Sequence, residues 1–364
     1  MNIDFANLTK AFEEHREEFE KVTLDVMHSA RYILGKETEE FEQNLSTFTG
    51  NNYALGCSSG TDALLLAMMA MGLRSGDEVI TSPFTFIATA ETIACLGAKP
   101  VFVDIDEETY NIDASKIERA ITKNTKAIMP VSLYGQMSDM DEINAIAEKY
   151  GLAVIEDAAQ SFGATYKGKR SCNVSTFGCT SFFPAKPLGC FGDGGAIFAS
   201  NEEDYEKIKA MRVHGQVERY THHYIGMGGR LDNLQAAVLN VKLKTYENDI
   251  SRRQAVANWY TEKLSEKIIR PIVKPDRTSV WAQYTVRVKD RGRVQQKLLE
   301  VGIPTAVHYP IPMHLQKCFA YLGYKIGDFP ISELCAQEVM SLPMNPYLEE
   351  SEIEYITTNL NIIL

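Results

Sequence analysis

Four short stretches of this chain carry residue types whose spacing suits chemistry. Ser58-Ser59-Gly60-Thr61-Asp62 opens a helical stretch. Free backbone N–H groups and the positive end of a helix dipole at such a place hold an anion such as a phosphate. Ser, Thr and Asp are also good N-caps, so the stretch reads as a cap or as an anion cradle. It is not a Walker A loop, because no Gly-Lys-Ser/Thr follows. Asp157 ends the run Ala-Val-Ile-Glu-Asp, with Gln160 and Ser161 just beyond. A carboxylate at the end of a buried strand is costly unless it is paired. One suitable partner is a protonated heteroaromatic nitrogen, which makes its ring an electron sink; a cap on the next turn is the other reading. In Ser181-Phe-Phe-Pro-Ala-Lys186-Pro-Leu-Gly189 a lysine stands between apolar residues and Pro/Gly turns. Desolvation there lowers an amine's pKa and makes it a nucleophile, although most lysines end up exposed. Phe84 and Phe86, in Thr-Ser-Pro-Phe-Thr-Phe-Ile-Ala-Thr, follow a strand. A ring at that place stacks on a flat ligand or packs in the core.

The elements that position these stretches follow from apolar periodicity. Short apolar runs at 53–56, 78–81, 99–105, 127–133, 153–158, 180–183 and 195–200 read as strands. Helical patterns intervene at 86–96, 139–150 and 202–213, and Leu-Leu-Leu-Ala-Met-Met-Ala-Met-Gly-Leu is apolar all round, as a buried helix is. The alternation predicts an α/β fold with a mixed, mostly parallel sheet sandwiched by helices. Ligands in such sheets bind at the carboxyl ends of the strands, where all four stretches fall. Upstream, 6–31 reads as a helix and 38–48 as a second, N-capped by Thr38. Downstream, 231–267 reads as two long helices, followed by strands at 282–288 and 305–309 and helices at 292–301, 331–341 and 350–360. The expected division is an N-terminal helical segment over 1–30, a large α/β domain over 31–249 and a smaller C-terminal α+β domain over 250–364.

Composition narrows the function classes. The 364 residues carry a formal charge of −11 and are 45% hydrophobic, which excludes a disordered chain and argues against a nucleic-acid face. No apolar run is long enough to span a bilayer, and the first residues lack a signal peptide's basic and apolar regions. The expectation is a cytoplasmic protein with no membrane partner. Seven cysteines without a Cys-x-x-Cys pair read as reduced, mostly buried thiols. His222 and His223 are adjacent and no His-Glu-x-x-His occurs, so no metal site is expected. Gly-Cys-Phe-Gly-Asp-Gly-Gly-Ala lacks the Gly-x-Gly-x-x-Gly spacing of a dinucleotide-binding turn.

Together the four stretches supply a phosphate cradle, a partner for a pyridine nitrogen, a Schiff-base lysine and a stacking ring, the set that pyridoxal 5′-phosphate chemistry needs. At these residues the chain resembles the DegT/DnrJ/StrS sugar aminotransferases, which have the fold type I (aspartate-aminotransferase-type) architecture. The likeness runs over nearly the whole chain, including SSGTDALLLA, GDEVITSPFTFIATAE, VIEDAAQSFGA, TSFFPAKPLGCFGDGGA and GGRLDNLQAA. It implies that Lys186 forms the Schiff base and that Asp157 faces the pyridine nitrogen. It implies Gln160 near the ring hydroxyl, Gly60, Thr61 and Ser181 at the phosphate, and Phe86 rather than Phe84 on the ring. Family members with dehydratase activity carry His in place of this lysine, so Lys186 points to transamination. The resemblance further implies L-glutamate as amino donor, a nucleotide-linked keto-sugar as acceptor, and a homodimer with shared active sites. Ala306-Val-His-Tyr-Pro-Ile-Pro-Met-His314 resembles the branch that aminates UDP-2-acetamido-2-deoxy-3-keto-glucuronic acid for surface polysaccharides. Arg230, His308 and Tyr309 are then candidates for the sugar carboxylate and hydroxyls, with strand and turn packing the other reading of His308 and Tyr309. Many members carry Asn where this chain has Gly228, a residue that reaches the neighbouring subunit's phosphate. Aminotransferases acting on UDP- or dTDP-linked 3- or 4-keto-6-deoxy sugars, or a non-enzymatic regulator on this fold, are the alternatives.

Overall fold

The computed structural model describes residues 3–364. In the N-terminal part, α1 (Leu8–Glu13), α2 (Arg16–Ser29) and α3 (Lys36–Thr49) precede the sheet. The long helix expected over 6–31 is broken at Glu14 and His15. The second helix starts at Lys36 with Gly35 as its N-cap, not Thr38. Thr38 is instead inside the first turn, where its hydroxyl donates to Asn233 Oδ1 at 2.6 Å. Gly50, at φ 75°, ends α3 in the left-handed conformation that glycine adopts without strain.

Next come β1 (Ala54–Cys57), α4 (Gly60–Ala70), β2 (Glu78–Thr81), α5 (Ala88–Cys95), β3 (Lys99–Phe102), β4 (Thr125–Ile128), α6 (Met140–Tyr150) and β5 (Ala153–Asp157). A small ribbon of β6 (Thr165–Tyr166) and β7 (Lys169–Arg170) leads to β8 (Phe177–Ser181), β9 (Gly195–Ala199) and α7 (Glu202–Met211). A second ribbon pairs β10 (Gln216–Glu218) with β11 (Thr221–His222) before α8 (Asn233–Lys263). The C-terminal part holds β12 (Tyr284–Arg287), α9 (Arg291–Glu300), α10 (Pro330–Glu338), β13 (Val339–Leu342) and α11 (Glu350–Ile363).

The main sheet has seven strands in the order β1-β9-β8-β5-β4-β2-β3. β9 alone runs antiparallel, against both β1 and β8. The other neighbours are parallel, so the fold is α/β with a mixed, mostly parallel sheet. Each strand sends alternate residues to opposite faces. Leu55, Val79, Ile155, Phe177 and Ile197 pack with α4 and α7 on one face. Ala54, Ala196 and Phe198 meet α3 and α8 on the other, and Ile80, Ile128 and Val154 meet α6 there. Each fully buried Ile or Phe in these layers contributes about 1.5–3 kcal/mol.

The two helices expected over 231–267 are one, Asn233–Lys263. α8 extends 31 residues, roughly 46 Å at the helical rise, and the 249/250 division falls inside it. The helix expected to reach residue 341 stops at Glu338, and Val339–Leu342 pairs antiparallel with β12. The strand expected over 305–309 reduces to one bridge, Ala306 to Ser341, because prolines at 304 and 310 remove ladder donors on both sides.

Candidate active site

The carboxyl ends of β1, β2, β5 and β8 lie along one edge of the sheet, together with the start of β9. Gly195 pairs with both Cys57 and Ser181 there. All four chemistry-bearing stretches therefore share one edge.

The first stretch is an N-cap whose next two N–H groups are open to an anion. Ser59 caps α4, its Oγ accepting from Asp62 N at 3.0 Å, and the Ser58 hydroxyl donates to the Asp62 carboxylate. The Gly60 and Thr61 N–H groups have no acceptor among the described residues, so two orphan donors of the first turn face outward from a dipole end. The backbone closes in around them. A Cβ on Gly60 would lie 2.6 Å from Ser181 Cβ, and one on Gly195 would lie 2.4 Å from the Ser59 carbonyl. Only glycine at these two positions lets Ser181 and β9 approach the helix end so closely.

Asp157 is 6% exposed. Its Oδ2 accepts from Thr89 Oγ1 at 2.7 Å and its Oδ1 from Ala159 N at 3.2 Å. Burial raises its pKa, and Thr89, Ala159 and the Lys186 charge oppose the rise. Both bonded donors are neutral, so the carboxylate has no directly bound cation. Lys186 sits half-buried on the loop after β8, its N–H bonded to Phe183 O at 2.8 Å. Burial lowers its pKa, and Asp157 only partly restores it. An amine and a carboxylate are thus held in one partly dry site, each perturbed by desolvation.

Gln160 is buried and fixed at both ends of its amide. Its Oε1 accepts from Tyr134 N at 2.8 Å and its Nε2 donates to the Tyr309 hydroxyl at 3.1 Å. Phe86 is 54% exposed, whereas Phe84 is 1% exposed in the core. The Phe86 ring lies 6.1 Å from that of Tyr309. His308 Nδ1 pairs with Ser341 Oγ at 2.9 Å, and the Tyr134 hydroxyl donates to the His308 carbonyl. Burial and the Lys186 charge push the His308 pKa down to about 4, so its imidazole is neutral at neutral pH. The structure therefore brings His308 and Tyr309, from the C-terminal part, to the edge that holds Lys186 and Asp157. Arg230 is half-buried and bridges to Cys57 beside the cradle. At Gly228, a Cβ would lie 3.3 Å from His214 Nε2. The imidazole of His214 would have to give slightly for a side chain at 228.

Sequence reasoning did not single out Thr89, Tyr134, Ser341, Gly195 or His214. Thr85 and Thr89, one helical turn apart and bonded to each other at 2.9 Å, carried the clearest signal: two threonines on one face directly after a strand.

A seven-stranded α/β sheet with a lysine, a buried acid and a helix-end anion cradle on one edge is the architecture of an aminotransferase. Residues 13–361 match the DegT/DnrJ/EryC1/StrS aminotransferase family, and the chain belongs to it. It is 52% identical to the UDP-2-acetamido-2-deoxy-3-oxo-D-glucuronate aminotransferase of Pseudomonas aeruginosa, over 97% of this chain and 98% of that one. It is 46% identical to a pleiotropic regulatory protein of Geobacillus stearothermophilus, over 98% and 97%. The crystal structure of DesV from S. venezuelae, in complex with a ketimine intermediate, superposes with a TM-score of 0.97 at 38% identity, covering 99% of this chain and 98% of that one.

Proposed function

We propose that this protein is a pyridoxal 5′-phosphate-dependent aminotransferase that moves an amino group from L-glutamate to a nucleotide-linked keto-sugar. The acceptor proposed is UDP-2-acetamido-2-deoxy-3-keto-glucuronic acid, in bacterial surface polysaccharide (O-antigen) synthesis. The observation that carries the reading is Asp157, a buried carboxylate with no bonded cation, beside the desolvated amine of Lys186. The likeness to the P. aeruginosa enzyme supports the choice of sugar.

The residues present fit the cofactor. A cationic pyridine nitrogen supplies the charge that Asp157 lacks, and the Gly60 and Thr61 N–H groups with the Ser181 hydroxyl suit a phosphate. Gln160 suits the ring hydroxyl, and the exposed Phe86 ring suits a face of the heterocycle. When bound, the cofactor supplies an electron sink for the carbanion at the donor's α-carbon. Lys186 Nζ, neutral more readily than an ordinary lysine, takes that proton and returns it on the other side of the exchange. Asp157, held by Thr89 and Ala159, keeps a facing ring nitrogen protonated. Arg230 offers a guanidinium to the sugar carboxylate. Neutral His308 and Tyr309 offer hydrogen bonds to hydroxyls without adding charge.

The reading places the cofactor-binding domain at 31–249 and the smaller domain at 250–364, in a cytoplasmic homodimer. Tyr220 and Ile225, 79% and 87% exposed around the β10–β11 ribbon, support a second copy covering that face. Among the described residues no helix is long and apolar enough to cross a membrane.

Half-reaction spectra test the proposal. L-glutamate should bleach the yellow colour of the cofactor-loaded protein, and the UDP-3-keto-glucuronate compound should restore it. Restoration only by a UDP- or dTDP-linked 4-keto-6-deoxy sugar would overturn the acceptor and keep the chemistry. No bleaching by any amino donor would overturn the enzymatic reading in favour of a regulator.

A further inference from the structure

Lys242 lies on α8 and its Nζ donates to the Gly189 carbonyl at 2.6 Å. Its Nζ also lies 5.2 Å from the Phe191 ring centroid and 6.0 Å from that of Phe19. Burial lowers its pKa to about 8 against the weaker pull of Cys190 and Asp249. A half-buried ammonium whose direct partner is one carbonyl is costly, and a charge-assisted bond is what it gains. Seven residues earlier, on the same face of α8, Gln235 Oε1 accepts from Phe191 N at 2.8 Å. The two side chains thus grip the chain on both sides of Cys190.

Cys190 closes the base of the Lys186 loop, its N–H bonding to Phe182 O at 2.8 Å. Gly189 leaves no slack inside the loop: a Cβ there would lie 2.5 Å from Pro184 O and 2.8 Å from Phe183 O. Phe183 O in turn accepts from Lys186 N. Any shift at 189–191 is therefore passed through packed backbone to the residue that carries the amine.

We propose that Gln235 and Lys242, two turns apart on α8, are positioning residues that hold the loop bearing Lys186. The proposal rests on the reading of Lys186 as the reacting amine. Hydrogen exchange of the amides in 182–191, measured on cofactor-free full-length protein, tests the grip apart from activity. Lys242→Met removes a half-buried charge and should fold, and Gln235→Met provides a second, uncharged probe. In each variant, exchange in 182–191 should rise about tenfold with α8 and β9 unchanged. In the loaded enzyme kcat should fall about 10- to 100-fold while the KM for L-glutamate stays within about threefold, as expected for a misplaced reacting group. Lys242→Arg, which keeps a charged donor, should recover part of both losses. Unchanged loop exchange in both methionine variants, or a looser loop with unaltered kcat, would overturn the proposal. Failure of the underlying reading looks different: Lys186→Ala would then retain turnover whatever the loop exchange shows.

Discussion

Asp157 and Arg287 are buried to the same degree, 6% and 5% exposed, yet their surroundings are opposite. Arg287, on β12, holds Glu107 at 2.7 Å and Glu338 at 2.9 Å, joining the C-terminal ribbon to the loop after β3. Arg277 is tied in the same way to Asp139 and Asp276, both at 2.7 Å. Asp157 bonds only to a threonine hydroxyl and a backbone N–H. These two arginines are neutralised within the chain. Asp157 is not, and under the proposed function a ligand cation completes its pairing. The same holds for the two orphan N–H groups of Gly60 and Thr61, which sit a few residues from a fully satisfied cap.

The largest expected effect falls on the reactive side of this comparison. Lys186→Ala should lower multiple-turnover transamination by roughly 10²- to 10⁴-fold with the far-UV spectrum unchanged; retained turnover would remove Lys186 from the chemistry. On the structural side, Arg287→Met strands Glu338 and should cost about 3 kcal/mol of unfolding free energy in urea. A cost under 1 kcal/mol would show that the cluster is exposed in effect and weaken the contrast. Gly60→Ala sharpens the comparison at the cradle. Its Cβ would collide with Ser181, so cofactor affinity should fall by about tenfold and the cofactor-free protein should lose about 1–3 kcal/mol of stability.

Glu156, next to Asp157 but facing the other side of β5, gives an effect confined to one pH window. Burial pushes its pKa up to about 7, against the Cys172 N–H at 2.8 Å and the Ser132 hydroxyl at 3.1 Å. A carboxyl whose folded pKa lies above its ordinary value of 4.5 stabilises the fold below that value. It loses the contribution as pH rises through 7. Glu156→Gln should remove a downward slope of at most about 3 kcal/mol between pH 4.5 and 7. An identical slope in the variant would assign it to other groups.

Lys186 and Asp157 were readable in the sequence because their flanks are extreme: Phe-Phe-Pro and Pro-Leu-Gly around one, a five-residue strand before the other. Phe86 separated from Phe84 only through the resemblance, and burial shows the physical difference between them. Thr89 gave only a weak signal through its spacing from Thr85, since a threonine in a first helical turn has many ordinary uses. The single helix α8 was hidden by a change of pattern. Residues 236–241 are buried all round, whereas beyond Tyr246 only Arg253, Val256, Ala257 and Tyr260 are buried, so the apolar periodicity restarts partway along the helix. Val339–Leu342 continues an apolar helical pattern and becomes a strand only because β12 lies beside it. That is tertiary information, which no local window contains.

Under the proposed function the buried charge of Asp157 is completed by a ligand cation. The most direct measurement is urea unfolding of wild type and Asp157→Asn, each with and without pyridoxal 5′-phosphate. Asparagine keeps the shape and removes the uncompensated charge. The variant should be at least as stable as wild type without the cofactor, and should gain less than wild type when it is added. If Asp157→Asn instead loses about 3 kcal/mol without the cofactor, as Arg287→Met is expected to, and gains as much as wild type from it, Asp157 is a structural residue and the claim is wrong.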